Sequence, residues 1–367
     1  MNPQYPELGY YTLPGHVFDP KQMIEEVQTG DKLGLGSVWI SERFNTKNVE
    51  VLSGLAAALT PRMGIASGLM SNMPLRNPVV TASYASTMMK LTDNRFAFGI
   101  GRGVDQLADA TGTPRLKFTL MEDYIDILRR LWRGEVVNYD GPAGKLRGLA
   151  LGMELNPLPP VIMAVMGDKT SYWAGRFCDG VVYNSLWSAK AVARSTKHVR
   201  QGAKDAGRDP ASVKVWTVMI TASDVDEANM LKDIVRRMNT YLHFPWMMDV
   251  ICEVNGWDPK VAVEIRAALA KIDSGTKKAG LLGDENTSRN LDDIRRTFEM
   301  YPKEWIHEGN AVGTAAECAQ CARDRFDAGA DGVLFHGSHP KNLESLLKIW
   351  PKYRPAGLDG RSVNPGL

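Results

Sequence analysis

Arg95-Phe96-Ala97-Phe98-Gly99-Ile100-Gly101-Arg102-Gly103 is an apolar run that passes straight into alternating glycines around one arginine. The apolar half reads as a strand, and the glycine half as the turn at its C-terminal end. Glycine admits positive φ and leaves no Cβ between chain and ligand, so several N–H groups can converge there on an anion such as a phosphate. Arg102 adds a cationic fork to the same turn. A glycine-rich turn that holds no ligand fits these nine residues equally well, so the rest of the chain has to decide.

Outward from this stretch, short apolar runs alternate with amphipathic stretches along the whole sequence, which is the βαβ pattern of a parallel sheet. The predicted strands are 9–13, 37–41, 63–68, 96–100, 161–165, 180–183, 213–221 and 332–335. Eight is the number that closes a barrel, so the fold class is α/β, a (β/α)8 TIM barrel. Helices are predicted over 19–33, 78–91, 116–132, 169–178 and 314–328, with Asp19-Pro20 and Asn77-Pro78 reading as an N-cap followed by proline. Two intervals break the repeat. Residues 138–156 read as a β-excursion, and 222–312 as a helical insertion with helices at 225–242, 260–272 and 292–301, joined by a polar segment at 274–290. The whole of 1–367 is expected to form one barrel domain, with the insertion as a lid over its C-terminal face or as a structural or dimerisation excursion.

Composition narrows the partners. In 367 residues, 44% are apolar, 23% are charged and the formal net charge is +2, so no bulk electrostatic field favours nucleic acid or an acidic membrane surface. A small-molecule partner is the expectation. The first residues lack a basic stretch leading into an apolar one, and no long uninterrupted apolar run occurs, which points to a soluble, cytoplasmic chain. The four cysteines, Cys178, Cys252, Cys318 and Cys321, are too dispersed for a disulfide framework. Cys318 and Cys321 supply two ligands where structural zinc takes four, and they lie in a predicted helix interior, so no metal is expected.

In a barrel the residues just past each strand converge over the mouth. Here they are Pro14-Gly15-His16, Ser41-Glu42-Arg43-Phe44, Ser67-Gly68-Leu69-Met70, Gly101-Arg102-Gly103, Met166-Gly167-Asp168, Asn184-Ser185 and His336-Gly337-Ser338-His339. No GxSxG elbow or HExxH pair occurs among them, so a covalent or zinc mechanism has no support. Glycines, hydroxyls and amides of this kind suit a flat cofactor with an anionic tail. Trp39, Met70, Met73, Met163 and Met166 read either as an apolar substrate slot or as barrel packing, and Trp246 as a cap over the pocket.

Leu35-Gly36-Ser37-Val38-Trp39-Ile40-Ser41-Glu42, then 64–78, then Phe98 to Gly103, then Ala164-Val165-Met166-Gly167 with Cys178-Asp179-Gly180-Val181, resemble in order the segments of luciferase-like flavin and deazaflavin oxidoreductases. The resemblance spans almost the whole chain. It implies a (β/α)8 barrel, usually a homodimer, with a bulge and a non-proline cis peptide at Ser67-Gly68-Leu69 under the cofactor ring. It further implies that Glu42 contacts the ring, and that Gly101-Arg102-Gly103 and Met166-Gly167-Asp168 embrace the phosphate.

The departures are informative. Sugar-phosphate dehydrogenases of this family carry a histidine and a glutamate where this chain has Arg43 and Val104, so that substrate is disfavoured. Paired histidines, frequent in the flavin monooxygenases, give way to Arg43-Phe44, which tilts the cofactor toward the deazaflavin coenzyme F420, with FMN as the alternative. An arginine stays protonated near neutral pH, so Arg43 is expected to clamp an anion or carbonyl, with His16 or Glu42 as proton partners. The implied activity is hydride transfer between F420 and a small, apolar organic substrate. The alternatives are an FMN-dependent monooxygenase and a flavin-binding barrel without catalysis.

Overall fold

The computed structural model describes residues 3–13, 19–44, 47–70, 73–103, 105–272 and 290–367. Eight parallel strands form a closed ring: β1 Tyr5–Tyr11, β2 Leu35–Ile40, β3 Gly64–Ser67, β4 Phe96–Ile100, β5 Val161–Val165, β6 Gly180–Tyr183, β7 Lys214–Ser223 and β8 Gly332–His336. Each pairs with its neighbours in chain order, and the ring closes where Leu8, Gly9 and Tyr10 of β1 lie opposite Val333, Leu334 and Phe335 of β8. The chain is therefore a (β/α)8 TIM barrel, as the alternating pattern predicts.

Closure buries both faces of every strand, which is why β4 and β8 show no exposed residue along their length. Side chains pointing inward form a separate apolar layer drawn from all eight strands: Tyr11, Trp39, Ala66, Ala97, Ile162, Val182, Trp216, Val218 and Leu334. The Trp39 and Trp216 rings lie 5.5 Å apart, and the alanines on β3 and β4 leave room for them. The lower end is sealed by the C-terminal tail. Trp216 Nε1 donates to the carbonyl of Pro365 at 2.8 Å, and Asn364 Nδ2 donates to Asn94 and Phe96 carbonyls, each at 2.8 Å.

Boundaries of β4, β5 and β6 coincide with the prediction, whereas β1 begins four residues earlier and ends at Tyr11. The first helix, Gln22–Lys32, does not start at Pro20: Asp19 closes a turn by accepting the Lys21 amide, and the helix follows it. Asn77 does cap Pro78–Leu91, accepting from the Val79 amide at 3.0 Å. Between β4 and β5 the expected excursion is a hairpin, Val137–Gly141 with Gly144–Leu149. Past β7 come Glu227–Met230, a π-helical segment Leu231–Val235 and Arg236–Leu242, then Pro245–Asn255, Pro259–Ile272, Leu291–Phe298 and Lys303–Gly309. A short strand, Ala311–Gly313, pairs with the far end of β7. The helix over Pro245–Asn255 and that strand were not legible as elements in sequence.

Cys318 and Cys321 lie one turn apart in the helix Ala315–Asp327, which Thr314 and Glu317 cap reciprocally. Burial pushes the Cys318 thiol up to about 12.

Gly99 illustrates how tightly the ring is drawn. A Cβ there would lie 1.8 Å from the Ser67 carbonyl oxygen, while one at Gly101 would meet nothing nearer than Leu69 Cδ1 at 3.4 Å. Gly99→Ala should therefore cost about 3 kcal/mol or prevent folding, and Gly101→Ala less than about 1 kcal/mol. Urea unfolding of the two variants checks the contrast, and equal losses would refute it.

Candidate active site

At the C-terminal end of the barrel a cavity of about 250 Å³ opens between strand ends and loops. Thr12 and Leu13 follow β1, Ser41, Glu42 and Arg43 follow β2, Gly68 and Leu69 follow β3, Asn184 and Ser185 follow β6, and His336 ends β8. Lys47 enters from the loop after β2, and Arg237 from the insertion, directly beyond its π-helical segment. Such segments shift a helix's register by one residue and often mark functional sites.

The end of β3 is pinned on both sides. Gly68 donates to the Ile40 carbonyl at 2.7 Å, Leu69 accepts from the Glu42 amide at 3.1 Å, and Met70 donates to Gly99 at 3.0 Å. The Gly68–Leu69 peptide is cis. A Cβ on Gly68 would press on Trp39 at 2.9 Å and on Tyr11 at 3.0 Å, so glycine is required where the chain crosses the inner layer. Ser67 lies beneath, its hydroxyl donating to the Gly99 carbonyl and accepting the Gly99 amide at 2.7 Å.

Glu42 lines the cavity and is paired with Arg76. Its side chain is fully buried and both carboxylate oxygens take the guanidinium of Arg76, Nη1 to Oε2 at 3.2 Å and Nη2 to Oε1; Arg76 Nε reaches Glu50 at 2.9 Å. Fork-to-fork pairing of this kind fixes a carboxylate in place. Sequence reasoning did not single out Arg76.

A cluster of basic groups also faces the cavity. Lys47 is buried, and its ammonium donates to the Leu13 carbonyl at 2.9 Å and to Ser41 Oγ at 3.2 Å. Burial, then repulsion from Arg43 and Arg237, lowers its pKa well below that of a free lysine, with Glu26 pulling the other way. Arg43 is pushed down to about 9 by burial and by Arg237 and Arg236, against Tyr241. His336, packed 5.2 Å from the Tyr11 ring, is held well below the usual histidine range by burial and then by Arg237, Lys47 and Arg43, so it is neutral at pH 7. Its Nδ1 is buried without a partner among the described residues.

The glycine turn divides its labour. Gly99 serves the β3 contact, and the Gly101 amide donates to Met70 at 3.0 Å. Gly103 takes φ +73°, and none of the described residues accepts from the amides of Arg102 or Gly103. Arg102 is half exposed and bonds Asp105 and the Leu116 carbonyl. These residues line a second hollow of about 290 Å³ with Gln106 and Trp246, a residue that is 45% exposed. Trp246 thus stands over the glycine turn.

Met166 precedes the helix Gly167–Phe177, and Gly167 takes φ +75°. Asp168 does not reach the cavity: Arg194 grips it at 2.6 Å, His198 stands 3.4 Å away, and Arg194 continues to Glu253 of the insertion at 3.0 Å. Trp39, Met70, Met73 and Met163 are buried within the apolar cores. His339 accepts the Lys341 amide and caps a turn. His16 and Val104 fall outside the described residues.

Sequence reasoning missed Lys47 and Arg237. Only Arg237 left a trace, as half of an Arg-Arg pair inside an amphipathic helical stretch.

A barrel with its cavity at the strand ends and a helical insertion after β7 defines a class of TIM-barrel proteins, and the comparisons give its family. The luciferase-like monooxygenase family model matches residues 3–332, and the chain belongs to that family. A 5,10-methylenetetrahydromethanopterin reductase of Methanolobus tindarius is 28% identical over 87% of this chain and 91% of its own length. An F420-dependent glucose-6-phosphate dehydrogenase of Tsukamurella paurometabola is 27% identical over 55% of this chain and 65% of its own. Among solved structures, the coenzyme F420-dependent tetrahydromethanopterin reductase of Methanopyrus kandleri superposes with a TM-score of 0.75 at 19% identity, covering 95% of this chain and 99% of the other. Among the described residues no helix is long and apolar enough to cross a membrane.

Asp233, in the π-helical segment, is raised to about 7 by burial, against the pull of Arg236 and Lys232. The native state therefore holds a proton that the unfolded chain has released between about pH 4 and pH 7, and stability falls as pH rises through that window. Asp233→Asn should raise Tm at pH 8 and change it little at pH 4. A shift of equal size at both values would refute the assignment.

Proposed function

We propose that this chain is an oxidoreductase that transfers hydride between coenzyme F420 and a small organic substrate at the barrel mouth. The observation that carries the reading is the turn after β4: two backbone amides, at Arg102 and Gly103, without acceptors among the described residues, beside a hollow walled by an exposed tryptophan. That donor set fits a phosphate, and the neighbouring indole fits the flat or flexible part of an anionic cofactor. Support also comes from the F420-dependent relatives and from a family match over most of the chain.

F420 supplies a carbon that accepts or gives up hydride. Arg102, Gly103 and Met166-Gly167 would hold its phosphate, and Ser67-Gly68-Leu69 would support its ring. Gly68 and Leu69 also line the cavity, so the ring's support and the substrate's walls are one surface. Arg43 and Lys47 orient the substrate, and the cavity's small size restricts water around it. Neutral His336 has an unpaired nitrogen through which a substrate hydroxyl can exchange a proton, a better placed partner than Glu42, whose oxygens are bound by Arg76. The cavity's basic lining departs from the apolar slot expected from sequence. The reading includes a cytoplasmic homodimer, which size-exclusion chromatography tests separately.

Titration of the purified chain with F420 and with FMN, followed by fluorescence, is the direct test. F420 should bind and quench protein emission, and Trp246→Phe should remove much of that quenching with little change in fold. Tight FMN binding with none for F420 would overturn the reading in favour of a flavin monooxygenase. Binding without turnover of any substrate would leave a cofactor-binding barrel.

A further inference from the structure

We propose that the mouth cavity receives the oxyanionic group, carboxylate or phosphate, of a small organic anion on Lys47 and Arg237, beside the unpaired nitrogen of His336. This names a substrate class for the reaction proposed above and rests on that reading for its chemistry, while the anion site itself rests on the cavity.

Among the described residues, basic side chains outnumber acidic ones on the cavity wall. Among the described residues the charged side chains on its wall are Glu42, Arg43, Lys47 and Arg237. Glu42 is the single acid among them, and its oxygens are taken up by Arg76, outside the cavity's lining. The next acid inward, Glu26, lies behind the wall, with Oε2 accepting from Thr12 Oγ1 at 2.5 Å and the Leu13 amide at 2.6 Å. It offsets part of the Lys47 charge from behind the wall.

The donors are also incompletely used. Lys47 has three N–H groups, and its two hydrogen bonds go to neutral oxygens, Leu13 O and Ser41 Oγ. Arg237 lays its guanidinium over the Tyr241 ring, 5.1 Å from the centroid, and its Nε is buried with no partner among the described residues. Tyr241 is held in turn by Asn184, which also lines the cavity, through a 3.1 Å hydrogen bond. Cations gathered in a low-dielectric hollow repel one another, and an anion placed among them removes that repulsion while filling the open donors. A neutral, apolar occupant would leave both costs in place. Nδ1 of His336, unpaired in the same wall, is suited to a hydroxyl carried on the anion's next carbon.

Isothermal titration of the full chain with two matched pairs tests the proposal: lactate against propane-1,2-diol for a carboxylate, and glycerol 3-phosphate against glycerol for a phosphate. At least one anion should bind about tenfold or more tightly than its neutral counterpart, and the pair that responds identifies the group. Arg237→Met and Lys47→Met should each weaken that anion about tenfold, with Arg237→Lys recovering part of the loss. Binding should persist when the chain is saturated with F420. Equal affinity for anion and neutral partner would overturn the proposal, as would anion binding unaffected by both substitutions. Displacement of the anion by F420 would also overturn it, since the cluster would then belong to the cofactor. If a substituted chain fails to fold by circular dichroism, the anion-to-neutral ratio and the F420 competition in the unaltered chain decide. A chain that binds the anion and not F420 would defeat the proposed function and leave the anion site standing.

Discussion

Everything at the mouth follows from the closure of β8 onto β1. Once Leu8 to Tyr10 lie opposite Val333 to Phe335, no strand of the ring has a free edge or a wet face, and the interior fills with Trp39, Trp216 and their smaller neighbours. The barrel's middle is mainly apolar, with the Ser37 hydroxyl accepting from the Trp39 indole at 3.0 Å, and the tail around Asn364 and Pro365 closes its lower end. The upper rim remains, where side chains can be polar and the chain is free to vary. Gly68 and Gly99 are consequences of the same closure, since each lies where backbone or indole leaves no space for a Cβ.

At that rim, charge is sorted by direction. The carboxylate of Glu42 faces Arg76 and Glu50, while Arg43, next in sequence, belongs to the basic cluster with Arg237. Adjacent residues leaving a strand point to opposite sides, so one acid and one base from a single dipeptide end in different networks. The network of Arg43 gathers Lys47 and Arg237 around a His336 that their charge and its burial keep neutral.

The eightfold alternation was legible because buried parallel strands read as short apolar runs between helices, and 96–100, 161–165 and 180–183 were recovered to the residue. Tyr5 to Leu8 were not, because Pro6 interrupts the run and the register with β2 shifts there. Rim residues were found by position, since the end of a strand is a place that sequence can mark. Their partners were not found. Arg76 for Glu42 and Arg194 for Asp168 come from other elements, and only the packed chain reveals that both acids are engaged. Of the basic cluster, Arg43 and His336 were marked by position, whereas Lys47 and Arg237 were not: Lys47 lies in a loop that looks solvated, and Arg237 in an insertion far along the chain.

Arg237 makes that insertion part of the site. It lies in the first turn after the π-helical segment Leu231–Val235, and the extra residue in that segment rotates everything beyond it relative to a regular helix. Asp233, inside the segment, packs against Gly337, where a Cβ would come within 3.3 Å of the Asp233 carbonyl. Gly337 in turn follows His336 directly, with φ +97°. The insertion that carries Arg237 and the strand end that carries His336 thus meet at Gly337, where a Cβ would also come within 2.9 Å of Ile220 Cγ2 on β7. A residue larger than glycine at 337 would separate them, and the cavity would lose the Arg237 cation and the unpaired imidazole nitrogen together.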